Sequence, residues 1–175
     1  MPQDISGYDV GALLYCPANA HHTVAQAVAA ERLPRPFSLA LCLEDTVRAD
    51  ALAAAEQAVE QTLHDLTDAA RQETFYRPLT FVRVRSPEQL ARLGRAYGKY
   101  RPLLTGFILP KFFIETCGAY CAVIRDLQAD GLDYFYMPVF EAPSMLPLHT
   151  RHAALAEVKA QLDALRECIL NIRVG

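Results

Sequence analysis

The sequence predicts an α/β domain in which parallel strands alternate with helices: about six strands and five helices of an incomplete TIM (β/α)8 barrel. Three observations predict it. Short, almost continuously apolar runs of strand length recur along the chain, as a parallel sheet buried on both faces requires. Helical patterns separate them, and that alternation makes the strands parallel. Strand starts recur about every 31 residues, so eight such units would need ~250, the usual size of the closed barrel. An open doubly wound sheet is the alternative, but neither a G-x-G-x-x-G nor a P-loop follows any strand. No linker or low-complexity segment interrupts residues 1–175, so a single partial-barrel domain is expected.

Taken in order, Ala12-Leu13-Leu14-Tyr15-Cys16 reads as a buried strand ended by Pro17-Ala18-Asn19, with a short Ala-rich helix from about Thr23 to Glu31. Ser38-Leu39-Ala40-Leu41-Cys42-Leu43 is the second strand, stopping on Glu44 and Asp45. A long helix follows from about Ala49 to Gln72. Leu52, Ala55, Val59, Leu63 and Leu66 form its buried stripe, and Glu56, Glu60 and Asp68 a solvated face. Leu79–Arg85 is the third strand. Ser86-Pro87-Glu88-Gln89 then starts a helix, with Ser at N-cap, Pro at N1 and Gln at N3 for a capping box, running to about Tyr97. Gly106–Lys111 is the fourth strand, Thr116–Gln128 a helix, Tyr134–Glu141 the fifth strand and Arg151–Arg166 a helix. Ile169–Gly175 begins a sixth strand.

Bulk properties narrow the function. With 52% hydrophobic and 21% charged residues the chain is globular rather than disordered. A net charge of −3 supplies no basic field for nucleic acid or an anionic membrane. No apolar run approaches the ~20 residues of a membrane span. Met1-Pro2-Gln3-Asp4 has neither the basic nor the apolar region of a signal peptide. Five cysteines without a Cys-x-x-Cys fit a reduced, cytoplasmic protein. Cys16 and Cys42 are expected as small core residues. Cys117 and Cys121, four apart on a helix, are one side of a zinc site only if a second ligand pair exists.

Charged groups stand at successive strand ends: Glu44 and Asp45, Arg83 and Arg85, Lys111, and Glu141, with Asn19 after the first strand. In a barrel these ends converge on one face. Carboxylates there suit a hard divalent cation such as Mg²⁺. Arginine and lysine grip a carboxylate and stabilise a developing oxyanion. Two plainer readings stand beside this: Glu44 and Asp45 as acids favoured at a helix N-terminus, and the whole set as rim salt bridges. His21 and His22 are either a base near the first strand end or surface residues at a helix start.

The order of strand endings resembles the HpcH/HpaI aldolase and citrate lyase beta-subunit superfamily. The residues that carry the likeness are Pro17-Ala18-Asn19, Leu43-Glu44-Asp45, Val82-Arg83-Val84, Leu109-Pro110-Lys111 and Phe140-Glu141. In particular, Ala12–Pro17, Leu39–Asp45 and Leu170–Gly175 resemble the branch described as the TIM-barrel C–C bond lyase of tellurium-resistance-associated gene clusters. The resemblance implies Mg²⁺-dependent cleavage or formation of a carbon–carbon bond in a 2-oxo or 3-hydroxy acid or its thioester. It implies that Glu141 is a metal ligand and that Arg83 binds the oxo-acid end and steadies the enolate. It implies that Glu44 and Asp45 orient metal-bound water and substrate, with Lys111 and Asn19 as further substrate contacts.

Three departures from that pattern bear on function. Gly11 stands where many members carry an arginine, which argues against a CoA thioester, and Ala18 replaces the turn glycine. The superfamily's second metal ligand, an aspartate, follows the sixth-strand glycine, and Gly175 is the last residue here. The expectation is therefore a chain cut short relative to the family, inactive alone, binding Mg²⁺ weakly or not at all. It would self-associate or pair with a complementing C-terminal chain through its open edge strands. A non-catalytic interaction module and a regulatory binder of small acids are the competing readings.

Overall fold

A computed structural model describes residues 5–72 and 74–175; the side chains of His21 and His22, and Met1–Asp4, lie outside the description. The readings that rest on those residues therefore lie outside it too. Six parallel strands follow one another in the order β1-β2-β3-β4-β5-β6, with five helices between them. This is the α/β class, with the strand and helix succession of an incomplete TIM barrel. No described helix is long and apolar enough to cross a membrane.

The chain divides into two compact units. The first unit, Tyr8–Arg83 with Tyr97–Gly106, contains β1 (Ala12–Pro17), α1 (His21–Ala29), β2 (Phe37–Cys42), α2 (Leu52–Gln72) and β3 (Thr80–Arg83). β2 is buried at all six positions, as its unbroken apolar run predicts. Its partners are β1, with Tyr15 opposite Ala40, and β3, with Cys42 opposite Arg83. α2 buries Ala55, Val59, Leu63 and Leu66 at helical spacing and packs against α1. Complete burial of a side chain such as Leu63 stabilises by about 1.5–3 kcal/mol.

β1 corrects one expectation. Its apolar run suggests a buried strand, yet Leu14 and Tyr15 are exposed and Cys16 only half-buried. β1 stands first in the strand order, and β2 is the neighbour it pairs with. The run carries the apolar character of a sheet interior at a position with one neighbour.

The second unit, Val84–Ala96 and Phe107–Gly175 with the described residues up to Gly7, contains α3 (Pro87–Ala96), α4 (Cys117–Ala129), β5 (Phe135–Phe140), α5 (Leu148–Asp163) and β6 (Arg173–Val174). β4 (Leu104–Leu109) gives Phe107–Leu109 to this unit and Leu104–Gly106 to the first. α3 packs against α4, and α4 against α5. At Gly94 a Cβ would lie 2.7 Å from a Leu127 methyl, so glycine permits the close approach of α3 and α4. The Tyr134 hydroxyl donates to the Gly94 carbonyl at 2.7 Å, and its ring meets Phe107 edge-on at 5.0 Å.

Several element boundaries differ from expectation, among them those of α1 and α5 given above. The sixth strand is confined to Arg173–Val174, opposite Val139 and Phe140, with an isolated bridge from Ile169 to Tyr136. The capping box at α3 is shifted by one residue. Ser86 Oγ accepts from the Gln89 N–H at 3.3 Å as an N-cap should, but Gln89 Oε1 reaches back to the Arg85 N–H, at 2.7 Å. The Ser86 hydroxyl also lowers the Glu88 pKa by hydrogen bonding.

Candidate active site

In the first unit the register of β2 and β3 builds the charged cluster. Cys42 lies opposite Arg83, and one further bond, Leu43 N–H to the Arg83 carbonyl at 3.0 Å, carries the pairing past both strand ends. Side chains alternate with period two, so Cys42, Glu44 and Arg83 share a face. Arg83 Nη2 lies 2.6 Å from Glu44 Oε2 and 3.5 Å from Asp45 Oδ2. Glu44 is 6% exposed, Arg83 13% and Asp45 66%. The Arg83 guanidinium also stands 5.8 Å from the centre of the half-exposed Tyr15 ring, within cation–π range.

This geometry separates the two acids that the sequence treats as a pair. Glu44 is a buried counter-ion that fixes Arg83, while Asp45 is an exposed carboxylate at its rim. It also removes the helix-N-terminus reading. The turn is closed locally, by the Val47 N–H on the Glu44 carbonyl and Thr46 Oγ1 on the Cys42 carbonyl, and α2 begins only at Leu52. The acid in that helical entry is Asp50, in the 3₁₀ turn Ala49–Ala51. Asn19 is exposed and lines a groove of about 380 Å³ with Thr46, Val47, Arg48 and small residues of α2.

In the second unit Glu141 directly follows β5. Its Oε1 accepts the Lys111 main-chain N–H at 3.1 Å, and β6 reaches it through the Gly175 N–H on the Phe140 carbonyl at 3.2 Å. Lys111 holds φ at 50°, a left-handed conformation uncommon outside glycine. The sequence points to the lysine ammonium; the structure shows its main chain at work. Ser144 Oγ, in the turn Pro143–Met145 after Glu141, is buried without a hydrogen-bond partner among the described residues.

No group of three or more His, Cys, Asp or Glu side chains that could hold a metal occurs among the described residues. A hard cation such as Mg²⁺ takes oxygen ligands and keeps several waters, so Glu141 could supply one ligand with water completing the set. Cys117 and Cys121 are buried, and burial raises both pKa values, that of Cys121 to about 11. Such thiols are core residues rather than metal-ready thiolates. The sequence reading missed Tyr15 and Thr116. Tyr15 is signalled only by its place near a strand end, and Thr116 only by standing where α4 begins.

Residues 4–175 match the family model described as C-C bond lyase of the TIM-barrel fold. Among solved structures, the chain is similar to the citrate lyase beta subunit of M. tuberculosis, solved in complex with oxaloacetate and magnesium. The identity is 14%, over 96% of this chain and 94% of that one, with a TM-score of 0.31. No curated protein matches. The family model covers nearly the whole sequence, and the chain belongs to the C–C bond lyase family of the TIM-barrel fold.

Proposed function

We propose that this family member cleaves or forms a carbon–carbon bond beside a carbonyl in a small 2-oxo or 3-hydroxy acid. The observation that carries the reading is the Arg83–Glu44 pair at the ends of β3 and β2. A guanidinium held by a buried carboxylate is oriented before any ligand arrives, and its fork suits a carboxylate or an enolate oxygen. In this reading Arg83 grips the acid and stabilises negative charge as the bond breaks. Glu44 keeps it in place, and exposed Asp45 orients substrate or water. Lys111 and Asn19 remain proposed substrate contacts. Glu141 would hold Mg²⁺, which when bound supplies Lewis-acid polarisation of the oxo group.

Arg83→Lys tests it. Lysine keeps the charge but loses the planar fork. Turnover on 2-oxo and 3-hydroxy acids is expected to fall by about 10²–10³, the scale for one lost oxyanion donor. Full activity in Arg83→Lys would remove Arg83 from the site and leave Arg85 as the next candidate.

The exposure of Leu14 and Tyr15 on β1 favours a second proposal, that the chain self-associates through that strand. Light scattering after size exclusion that shows only a 19.4 kDa monomer would dismiss it.

A further inference from the structure

We infer that Thr116 is a positioning residue for Glu141, acting through the main chain of Lys111. Thr116 occupies the N-cap position of α4 but makes no side-chain cap bond. Its hydroxyl turns back into the β4–α4 connection. Thr116 Oγ1 donates to the Lys111 carbonyl at 2.8 Å and accepts the Phe113 N–H at 3.3 Å. These bonds brace the connection on both sides of Phe112, whose own N–H is anchored on the Val139 carbonyl of β5 at 3.0 Å. What they hold is Lys111 at φ 50°, and it is the N–H of this residue that bonds Glu141 Oε1 at 3.1 Å.

The physical argument is a balance. A non-glycine residue in the left-handed region is disfavoured and persists where its surroundings over-determine it. A threonine at an N-cap position ordinarily satisfies one of the first free N–H groups of its helix. Here that role is given up, and the hydroxyl supports the disfavoured residue instead. The consequence reaches Glu141, whose carboxylate is aimed by the Lys111 N–H. Hydrogen bonds behind a metal-binding carboxylate orient it and tune its affinity.

The inference rests on the reading of Glu141 as a cation-facing acid, and the experiment separates the two. The full-length protein and its Thr116→Val, Thr116→Ala, Thr116→Ser and Glu141→Ala variants are titrated with Mn²⁺ alone. Lys111 amide hydrogen exchange is measured on each. Valine and alanine at 116 are expected to weaken Mn²⁺ binding about tenfold, the low end for such supporting residues. Both should speed Lys111 exchange, while serine restores both properties to near the parent values. Unchanged Lys111 exchange in Thr116→Val and Thr116→Ala overturns the positioning role. Faster exchange with Mn²⁺ affinity unmoved, in a protein whose Glu141→Ala variant loses Mn²⁺, also overturns it. Equal Mn²⁺ binding by Glu141→Ala and the parent, or none by the parent, overturns the cation reading instead, and Lys111 exchange alone then decides the role of Thr116.

Discussion

Glu44 in the first unit and Glu141 in the second both follow a buried strand, yet they are held in different ways. Glu44 is met by a side chain of opposite charge, Arg83, in a nearly dry setting. Glu141 is half-buried and receives a main-chain N–H, that of Lys111. A charge pair of the first kind is a fixed scaffold, because removing either member strands the other in low dielectric. The contact on Glu141 is a main-chain dipole rather than a charged side chain. In the proposed reading the two acids have different tasks, Glu44 holding Arg83 and Glu141 facing a cation.

The largest expected effect tests that contrast directly. Glu44→Ala leaves the Arg83 charge buried without its close partner and should cost about 3–5 kcal/mol of stability. Glu141→Ala should cost within roughly 1 kcal/mol, because a half-buried carboxylate is replaced beside an N–H that water can reach. Urea denaturation of both variants gives the comparison. Equal losses would break it, and a small loss in Glu44→Ala would mean that Asp45 takes over the guanidinium.

The same contrast explains what was legible in the sequence. Alternating apolar runs and helical stripes carried the α/β succession, because periodicity follows from backbone geometry. That charged groups stand at the ends of β2 and β3 is legible in the sequence; that Glu44 closes on Arg83 is not, since it depends on strand register. That Glu44 is buried and Asp45 exposed was not, since it depends on the pleat phase set by Cys42 opposite Arg83. In the sequence Lys111 offers its ammonium, and its φ is invisible in a residue that is not glycine. Thr116 looked like an ordinary helix start. β1 reads as buried from its apolar composition, which does not record how many neighbours a strand has. The sixth strand was overlong for a related reason, as pairing with Val139 and Phe140 fixes its extent.

A smaller effect distinguishes the interiors of the two units. The first unit buries a charge with a partner. The second buries neutral ionisable groups, and burial pushes the thiols of both Cys121 and Cys168 up to about 11. Burial likewise raises Tyr136, whose hydroxyl has no hydrogen-bond partner among the described residues. Below about pH 8.5 these thiols are protonated in both folded and unfolded chains, and stability is full. Above it the unfolded chain ionises while the folded one resists, so stability falls as pH rises toward 11. The loss should be on the order of 3 kcal/mol for each thiol, from about two pK units at about 1.4 kcal/mol per unit. Unfolding midpoints from pH 8 to 11, in the parent and in a Cys121→Ala, Cys168→Ala double variant, show whether the decline flattens. An identical decline in both would place its origin elsewhere.

The smallest expected effect bears on how closely Glu141 is confined. A Cβ at Gly175 would stand 2.8 Å from both the Glu141 Cβ and its Oε2, so the carboxylate rests where a side chain at 175 would have to go. Its other oxygen is on the Lys111 N–H. Gly175→Ala must therefore crowd the acid. Oε2 ends a flexible side chain and can swing away, but Cβ moves only with the backbone of β5. The stability cost should be about 1 kcal/mol, the low end for inserting one methyl, and roughly 2–4 °C in Tm. The functional cost should be larger in proportion, because a carboxylate displaced by even ~1 Å no longer presents its oxygens as before. Mn²⁺ affinity is expected to fall severalfold, while oxalate binding measured without any divalent cation, which reads Arg83 alone, stays as in the parent. A Gly175→Ala variant that loses oxalate and Mn²⁺ together would show that the two acids are not independent, and the contrast between them would have to be redrawn.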